Sequence, residues 1–181
     1  VIGQENITIA ASGYSGLFYG MGSLHQILIH AQREGNGIPL LQIEDAPRFG
    51  HRGFMLDLSR NYAPKEKILE ILDYMAYYKL NLFDLKLSDD EGWRIEIPGL
   101  EELTEIGSKR GFTQDEKDRL LPMYGSGSGE KESQGSGYLT RTDFIEILQA
   151  ATQRNIRVVP QISFPSHARA AVVAMKARSE N

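Results

Sequence analysis

Cysteine is absent from the sequence, which excludes disulfide bonds and thiolate metal sites and leaves the redox compartment open. The four histidines do not cluster, and His25 and His30 stand five residues apart, on different faces of a predicted helix, so no zinc pair is expected. No apolar run approaches the roughly 20 residues that a membrane-spanning helix needs. The net charge of −4, without a basic stripe, argues against a nucleic-acid partner.

A regular alternation of strands and helices fills most of the 181 residues, enough chain for one substantial core. The strands are predicted at residues 53–58, 82–87 and 156–162, and the helices begin at Pro64, at Thr140 and near His167. Thr140 and Asp143 are typical of a capping box, and Pro64 is expected in the first turn of its helix. This order predicts an α/β fold built from parallel strands with helical crossovers.

The first 44 residues differ from this pattern and are interpreted as the end of a small α/β domain. Strands are predicted at residues 6–10 and 38–43, with an amphipathic helix at 17–31 between them. Gly20 and Gly22 weaken that helix, which suggests a close packing contact there. The polar, proline-bearing stretch that follows predicts a boundary, giving domains at 1–44 and 45–181.

Residues 107–137 interrupt the second domain with an insertion rich in glycine and serine. Two interpretations are open. The segment is either a tolerated surface insertion or a loop over the carboxyl ends of the strands that shapes a substrate cleft.

Polar side chains follow each predicted parallel strand. Asp57, Ser59 and Arg60 follow the first, an acidic run at 89–91 follows the second, and His167 follows the third. The loops beyond the carboxyl ends of parallel strands are where α/β proteins place chemistry. An Asp can fix the tautomer of a His and act as its charge partner, while arginine can grip sugar hydroxyls.

The only tryptophan, Trp93, lies just beyond the acidic run and could cover the apolar face of a sugar. The plainer alternative is a solvated acidic turn beside a core tryptophan and a structural histidine.

Several motifs together resemble glycoside hydrolase family 20, the β-N-acetylhexosaminidases. They are DAPRF at 45–49, LDLSRN at 56–61, LSDDEGWRIE at 87–96 and PSHA at 165–168. The segment LLPMYG at 120–125 is similar to the bacterial chitobiase branch, and GLFYG at 16–20 resembles the end of the small domain before the family's barrel.

This resemblance implies a partial (β/α)8 TIM barrel, about its first three units, in an enzyme that removes terminal N-acetylglucosamine or N-acetylgalactosamine. In the family the substrate's own acetamido oxygen attacks the anomeric carbon, with retention and without metal or cofactor. Carried over by motif, Asp89 and His167 form the pair that supports the catalytic acid, and Arg52 holds the sugar's O3 and O4 hydroxyls. The expected partner is a small carbohydrate, and the expected location is periplasmic, surface-attached or secreted.

Two departures from the family pattern bear on the expected hydrolase activity. The family's catalytic Asp-Glu pair is absent from these residues, so the chain is expected to be a fragment without hydrolase activity of its own. Asp84 and Lys86 lie inside a predicted barrel strand, where charges must pair and where they could alter aglycone contacts.

The open edge of a partial barrel favours self-association, which a clean monomer in sedimentation would argue against. The rival interpretations are a non-catalytic sugar-binding or assembly module and a barrel hydrolase for another sugar.

Overall fold

Three parallel strands form the central sheet of the protein, whose computed structural model describes residues 1–126 and 135–180. In chain order the elements are α1 (Tyr14–Glu34), β1 (Gly53–Asp57), α2 (Lys65–Tyr77), β2 (Leu82–Lys86), β3 (Ser88–Asp89), β4 (Gly92–Trp93), α3 (Glu102–Glu105), α4 (Arg141–Gln153), β5 (Arg157–Gln161) and α5 (Arg169–Glu180). The sheet order is β1-β2-β5, and both pairings are parallel. The short strands β3 and β4 form an antiparallel pair directly after β2. The predicted alternation of parallel strands and helices is confirmed.

One face of the sheet is buried against helices α2 and α4. Phe83 and Leu85 of β2 are fully buried there, together with Leu72 of α2 and Ile147 of α4. Side chains alternate along a strand, so Asp84 and Lys86 point to the opposite face. A second, smaller core cluster joins α3 to α5 beside β4.

Local sequence signals set the ends of the helices. Thr140 and Asp143 form the predicted capping box at the start of α4: Oγ1 of Thr140 accepts from the backbone N–H of Asp143, and Oδ2 of Asp143 accepts from that of Thr140. Pro64 is the N-cap of α2, one residue before the helix begins at Lys65. Gly35, with φ of +66°, ends α1 in the left-handed conformation that glycine adopts most easily.

The predictions for the first 44 residues were right for the helix and wrong for the strands. Residues 6–10 and 38–43 form only isolated bridges, Ile2 with Ile7 and Ile2 with Leu41. A strand needs a partner along its whole length, and these segments meet one only at single positions. Of the two glycines that the sequence analysis singled out in α1, a Cβ on Gly20 would lie 2.7 Å from Ile9, whereas Gly22 faces open space.

The second face of the sheet is the one that would point into a closed barrel. Met55, Asp84 and Val159 are in register across β1, β2 and β5, and the two apolar side chains of this row are well exposed. Oδ1 of Asp84 is buried and has no hydrogen-bond partner among the described residues. Lys86 instead turns toward the carboxyl end of the sheet, where it finds acidic partners.

Candidate active site

The carboxyl ends of β1, β2 and β5 bring charged side chains from three separate parts of the chain together. Arg60 comes from the loop after β1, Asp89 from β3 directly after β2, and His167 from the loop after β5. They meet because parallel strands end at the same edge of a sheet.

Asp89 is the buried centre of this group, with 2% of its side chain exposed. Its Oδ2 forms an ion pair with Nζ of Lys86 and lies 3.0 Å from Nη2 of Arg60. A carboxylate withdrawn from water is costly unless cations compensate it, and Asp89 has two. Lys86, which the sequence left as a costly charge inside a strand, is thus explained as the partner of Asp89.

His167 lies beside both carboxylates of the acidic run. Its Nδ1 is 3.0 Å from Oδ2 of Asp90 and 3.6 Å from Oδ1 of Asp89. The expected partners Asp89 and His167 are therefore brought together, but the hydrogen-bond contact is with Asp90. The imidazole is 60% exposed, and within the part of the chain that the structure describes its Nε2 has no hydrogen-bond partner.

Asp90 is tied to the start of α5. Its Oδ1 accepts a hydrogen bond of 3.1 Å from the backbone N–H of Arg169. That hydrogen bond lowers the pKa of Asp90; burial opposes the shift, and the contact with His167 adds to it. Asp90 is therefore held as a carboxylate facing the imidazole.

Arg60 is held by Asp57, the last residue of β1. Oδ1 of Asp57 accepts from the backbone N–H groups of Ser59 and Arg60, at 3.0 and 3.2 Å, and its Oδ2 pairs with the Arg60 guanidinium. Burial raises the pKa of Asp57, but hydrogen bonds from Ser59 and Arg60 and the charge of Lys86 outweigh it, so the pKa is lowered overall. Arg60 keeps nearly half of its side chain exposed, at the rim of the group.

Arg52 is not part of this group. It stands one residue before β1, at the opposite end of the sheet, where its Nε and Nη1 donate to the carbonyls of Lys79 and Phe49, each at 2.7 Å. Its guanidinium also lies over the ring of Tyr19. The structure thus separates Arg52 from Asp89 and His167, and the arginine beside them is Arg60. The signal that distinguishes the two is position, because chemistry in such folds follows the carboxyl end of a strand.

Trp93 fits the plainer of its two interpretations. The indole packs against both core clusters, and its Nε1 donates to the carbonyl of Ile95 at 2.6 Å. In this structure it supports the loop after β2.

The described parts of the insertion lie against the carboxyl end of the sheet and are tethered there by two buried arginines. Arg94 donates to five backbone carbonyls, those of Leu58, Ser59, Ser108, Gly135 and Gly137. Arg110 reaches the carbonyls of Gly135 and Arg60. Burial, and then the charge of Arg110, lower the pKa of Arg94 to about 9. Of the two interpretations of residues 107–137, this position favours the loop over the carboxyl ends; residues 127–134 lie outside the described residues.

Asp89, Asp90 and His167 offer three ligand atoms within 4.8 Å of one another. Lys86 and Arg60 already pair with Asp89, and their positive charges disfavour a divalent cation beside it. We therefore assign no metal to this group. Among the described residues, no helix is both long and apolar enough to cross a membrane.

Comparison with known proteins identifies the family. The sequence model of the glycosyl hydrolase family 20 catalytic domain matches residues 49–181, and that of the family's domain 2 matches residues 1–46. This chain belongs to glycosyl hydrolase family 20.

Two bacterial relatives of this family 20 chain are named as a chitobiase and a β-hexosaminidase. It is 49% identical to an N,N'-diacetylchitobiase of Vibrio harveyi, over 96% of this chain and 19% of that protein. It is 42% identical to a β-hexosaminidase of Vibrio vulnificus, over 97% of this chain and 20% of that protein. The chain therefore spans about a fifth of the length of these relatives.

Solved structures show the same relationship. An exo-β-N-acetylglucosaminidase of Vibrio harveyi, solved in complex with N-acetylglucosamine, matches 92% of this chain and 25% of its own, with a TM-score of 0.74 and 31% identity. An N-acetyl-β-hexosaminidase of Streptomyces plicatus matches 86% of this chain and 29% of its own, with a TM-score of 0.63 and 35% identity. The family 20 chain therefore has the fold of the corresponding part of these barrels.

Proposed function

We propose that this chain is part of an exo-β-N-acetylhexosaminidase that removes terminal N-acetylglucosamine or N-acetylgalactosamine from chitobiose-like oligosaccharides or glycans. The observation that carries the proposal is the meeting of Arg60, Asp89 and His167 at the carboxyl end of the sheet in a family 20 chain. The relatives named as chitobiase and hexosaminidase support the substrate class.

Arg60 takes the sugar-binding role that the sequence interpretation gave to Arg52. Asp57 and Asp89 fix its guanidinium from two sides, while nearly half of the side chain remains exposed. A planar group held in this way can donate to two adjacent hydroxyls without losing further side-chain entropy. Arg60 would therefore bind the non-reducing sugar.

Asp89 and His167 support proton transfer. With Nδ1 directed at the carboxylates of Asp90 and Asp89, His167 can present Nε2 to the catalytic acid and stabilise its charge as the proton leaves. The resemblance implies that the acid and the Asp that orients the acetamido group come from outside these 181 residues. The acetamido oxygen is then the nucleophile, and the configuration at the anomeric carbon is retained.

The rival module without catalysis loses part of its support. It relied on Asp84 and Lys86 as departures from a catalytic pattern, and Lys86 is now accounted for as the ion partner of Asp89. Asp84 alone remains unexplained, since its buried Oδ1 has no partner among the described residues.

Two chromogenic substrates test the proposal. The protein that carries this chain should hydrolyse 4-nitrophenyl N-acetyl-β-glucosaminide at least about 100-fold faster than the plain β-glucoside, which lacks the attacking oxygen. Residues 1–181 alone should show no turnover of either substrate. Equal rates on the two glycosides, or turnover by residues 1–181 alone, would contradict the proposal.

We also propose, from the resemblance to the chitobiase branch, that the enzyme works in the periplasm, at the cell surface or outside the cell. Activity measured on intact cells, before and after lysis, tests this location. Activity that appears only after lysis and stays with the cytoplasmic fraction would contradict it.

A further inference from the structure

Glu116, in the insertion, contacts Arg169, which lies two residues after His167. Both of its carboxylate oxygens lie 2.6 Å from Nη2 of Arg169, at the start of α5. The pair is largely withdrawn from solvent, with 19% of the Glu116 side chain and 33% of the Arg169 side chain exposed. The backbone N–H of Leu121 also donates to Oε1 of Glu116, at 2.9 Å, which fixes the carboxylate from the other side.

Arg169 is connected to His167 through Asp90. Its backbone N–H donates to Oδ1 of Asp90, whose other oxygen is 3.0 Å from Nδ1 of His167. An unbroken series of contacts therefore runs from Glu116 through Arg169 and Asp90 to the imidazole. It joins the insertion to the loops after β2 and β5.

The backbone at both ends of this series is held in an uncommon conformation. Glu116 has φ of 56° and His167 has φ of 54°, in the left-handed region that residues other than glycine rarely adopt. Such residues persist where their surroundings fix them, and they are frequent at functional sites. The backbone N–H of Glu116 is fixed by Oγ1 of Thr113, at 3.1 Å.

We propose that Glu116 is a positioning residue for His167: its ion pair with Arg169 holds Asp90 against the imidazole. The insertion then has a defined task, which is to complete the support of the imidazole from the side that the strands leave open. The consequence for catalysis rests on the proposed function, whereas the effect on His167 does not.

The charges around His167 come from several elements of the fold. The loop after β2 supplies Asp89 and Asp90, and the insertion supplies Glu116. Two cations, Lys86 and Arg60, lie behind Asp89, and α5 supplies Arg169. Removing the Glu116 charge releases the Arg169 side chain, which loosens Asp90 and leaves an unpaired cation near the imidazole.

Glu116→Gln in the protein that carries this chain tests the proposal. The pH dependence of histidine C2-proton exchange, followed by mass spectrometry of the peptides, gives the proton-binding constant of each histidine separately. We expect the constant of His167 to fall about threefold, because a held carboxylate stabilises the imidazolium. His25, His30 and His51 should not change and serve as internal references.

Asp115→Asn is the matched control. It removes the same charge one residue away, from an exposed side chain whose Oδ1 accepts a hydrogen bond from the backbone N–H of Lys117, at 3.3 Å. Its effect on the His167 constant should stay below about 1.5-fold, as expected of a screened surface charge. Glu116→Asp, which keeps the charge but shortens the reach, should give an intermediate change and tolerates the left-handed backbone.

Turnover separates the two proposals. Glu116→Gln should lower kcat several-fold with little change in KM, and should move the pH profile in the same direction as the His167 constant. A His167 constant unchanged in a folded Glu116→Gln protein, or changed equally by Asp115→Asn, overturns the positioning role. If Glu116→Gln does not fold, Glu116→Asp decides by the same criterion. A shifted constant in a protein without hexosaminidase activity keeps the positioning role and overturns the proposed function.

Discussion

Single residues at the carboxyl end of the sheet hold buried charge that is compensated by specific partners. Asp89 is paired with Lys86 and Arg60, whereas the buried guanidinium of Arg94 is satisfied by carbonyl oxygens. The ion pairs of Asp89 and the carbonyl contacts of Arg94 have different consequences. The ion pairs leave Arg60 near solvent for a ligand, while Arg94 joins the loop after β1 to the described parts of the insertion.

Arg94→Met tests how far one residue stabilises these loops. The substitution keeps similar bulk but removes a donor from five carbonyls. Gly135 keeps a hydrogen bond from Arg110 and Ser108 keeps one from Gly137, whereas the carbonyls of Leu58, Ser59 and Gly137 lose the donor that the structure describes for them. We therefore expect the free energy of unfolding to fall by about 3–5 kcal/mol. Urea denaturation measures the change. Arg141→Met, at an exposed position at the start of α4, is the control and should cost less than about 0.5 kcal/mol. Equal losses in the two variants would contradict the tethering role.

The residue scale also shows where sequence reasoning succeeded and failed. The motifs placed Asp89 and His167 correctly beside each other, because each follows a strand whose apolar run is unambiguous. They did not separate Arg52 from Arg60, since both arginines flank the same short strand and only their order relative to it tells them apart. His167 lies closer to Asp90 than to Asp89, at 3.0 Å against 3.6 Å from Nδ1 to the nearest carboxylate oxygen. The spacing of residues in the sequence cannot predict so small a difference.

At the scale of elements, predictability follows the locality of the contacts that form each one. Helix α4 was predictable because its capping box and its apolar spacing are local. The strands expected at residues 6–10 and 38–43 failed because pairing depends on a distant partner, and only isolated bridges form. The insertion could not be placed from composition, since its position depends on Arg94 and Arg110 donating to carbonyls far along the chain.

Two glycines of α1 give a test at this scale. Gly22→Ala should raise the free energy of unfolding by about 0.5–1 kcal/mol, because glycine is costly inside a helix and the new methyl group meets open space. The free energy of unfolding of Gly20→Ala should be at least about 1 kcal/mol lower than that of Gly22→Ala, because the Cβ of the new alanine would lie 2.7 Å from Ile9. Thermal or urea unfolding of the two variants side by side measures the difference. Indistinguishable stabilities would show that α1 does not pack on Ile9 as described.

At the scale of the whole molecule, residues 49–181 match only part of a barrel, and this accounts for the exposed second face of the sheet. Met55 and Val159 are exposed on the face that the family's barrel encloses, and Asp84 on the same face has a buried oxygen without a partner among the described residues. The chain spans about a fifth of the length of these relatives, and we propose that further strands of the barrel supply the groups that meet this face. The expected self-association through the open edge stays a prediction.

The central claim is that the carboxyl end of the sheet, with Arg60 beside Asp89 and His167, belongs to the pocket for the terminal amino sugar. The most direct measurement is kcat/KM for 4-nitrophenyl N-acetyl-β-glucosaminide in the protein that carries this chain, compared between Arg60→Met and Arg52→Met. Thermal unfolding of both variants confirms that they fold. We expect Arg60→Met to lose at least about 100-fold, as the loss of two charged hydrogen bonds implies, and Arg52→Met to stay within about threefold of the unmodified protein. A large loss in a folded Arg52→Met protein, with Arg60→Met unaffected, would place the sugar at the other end of the sheet and contradict the account.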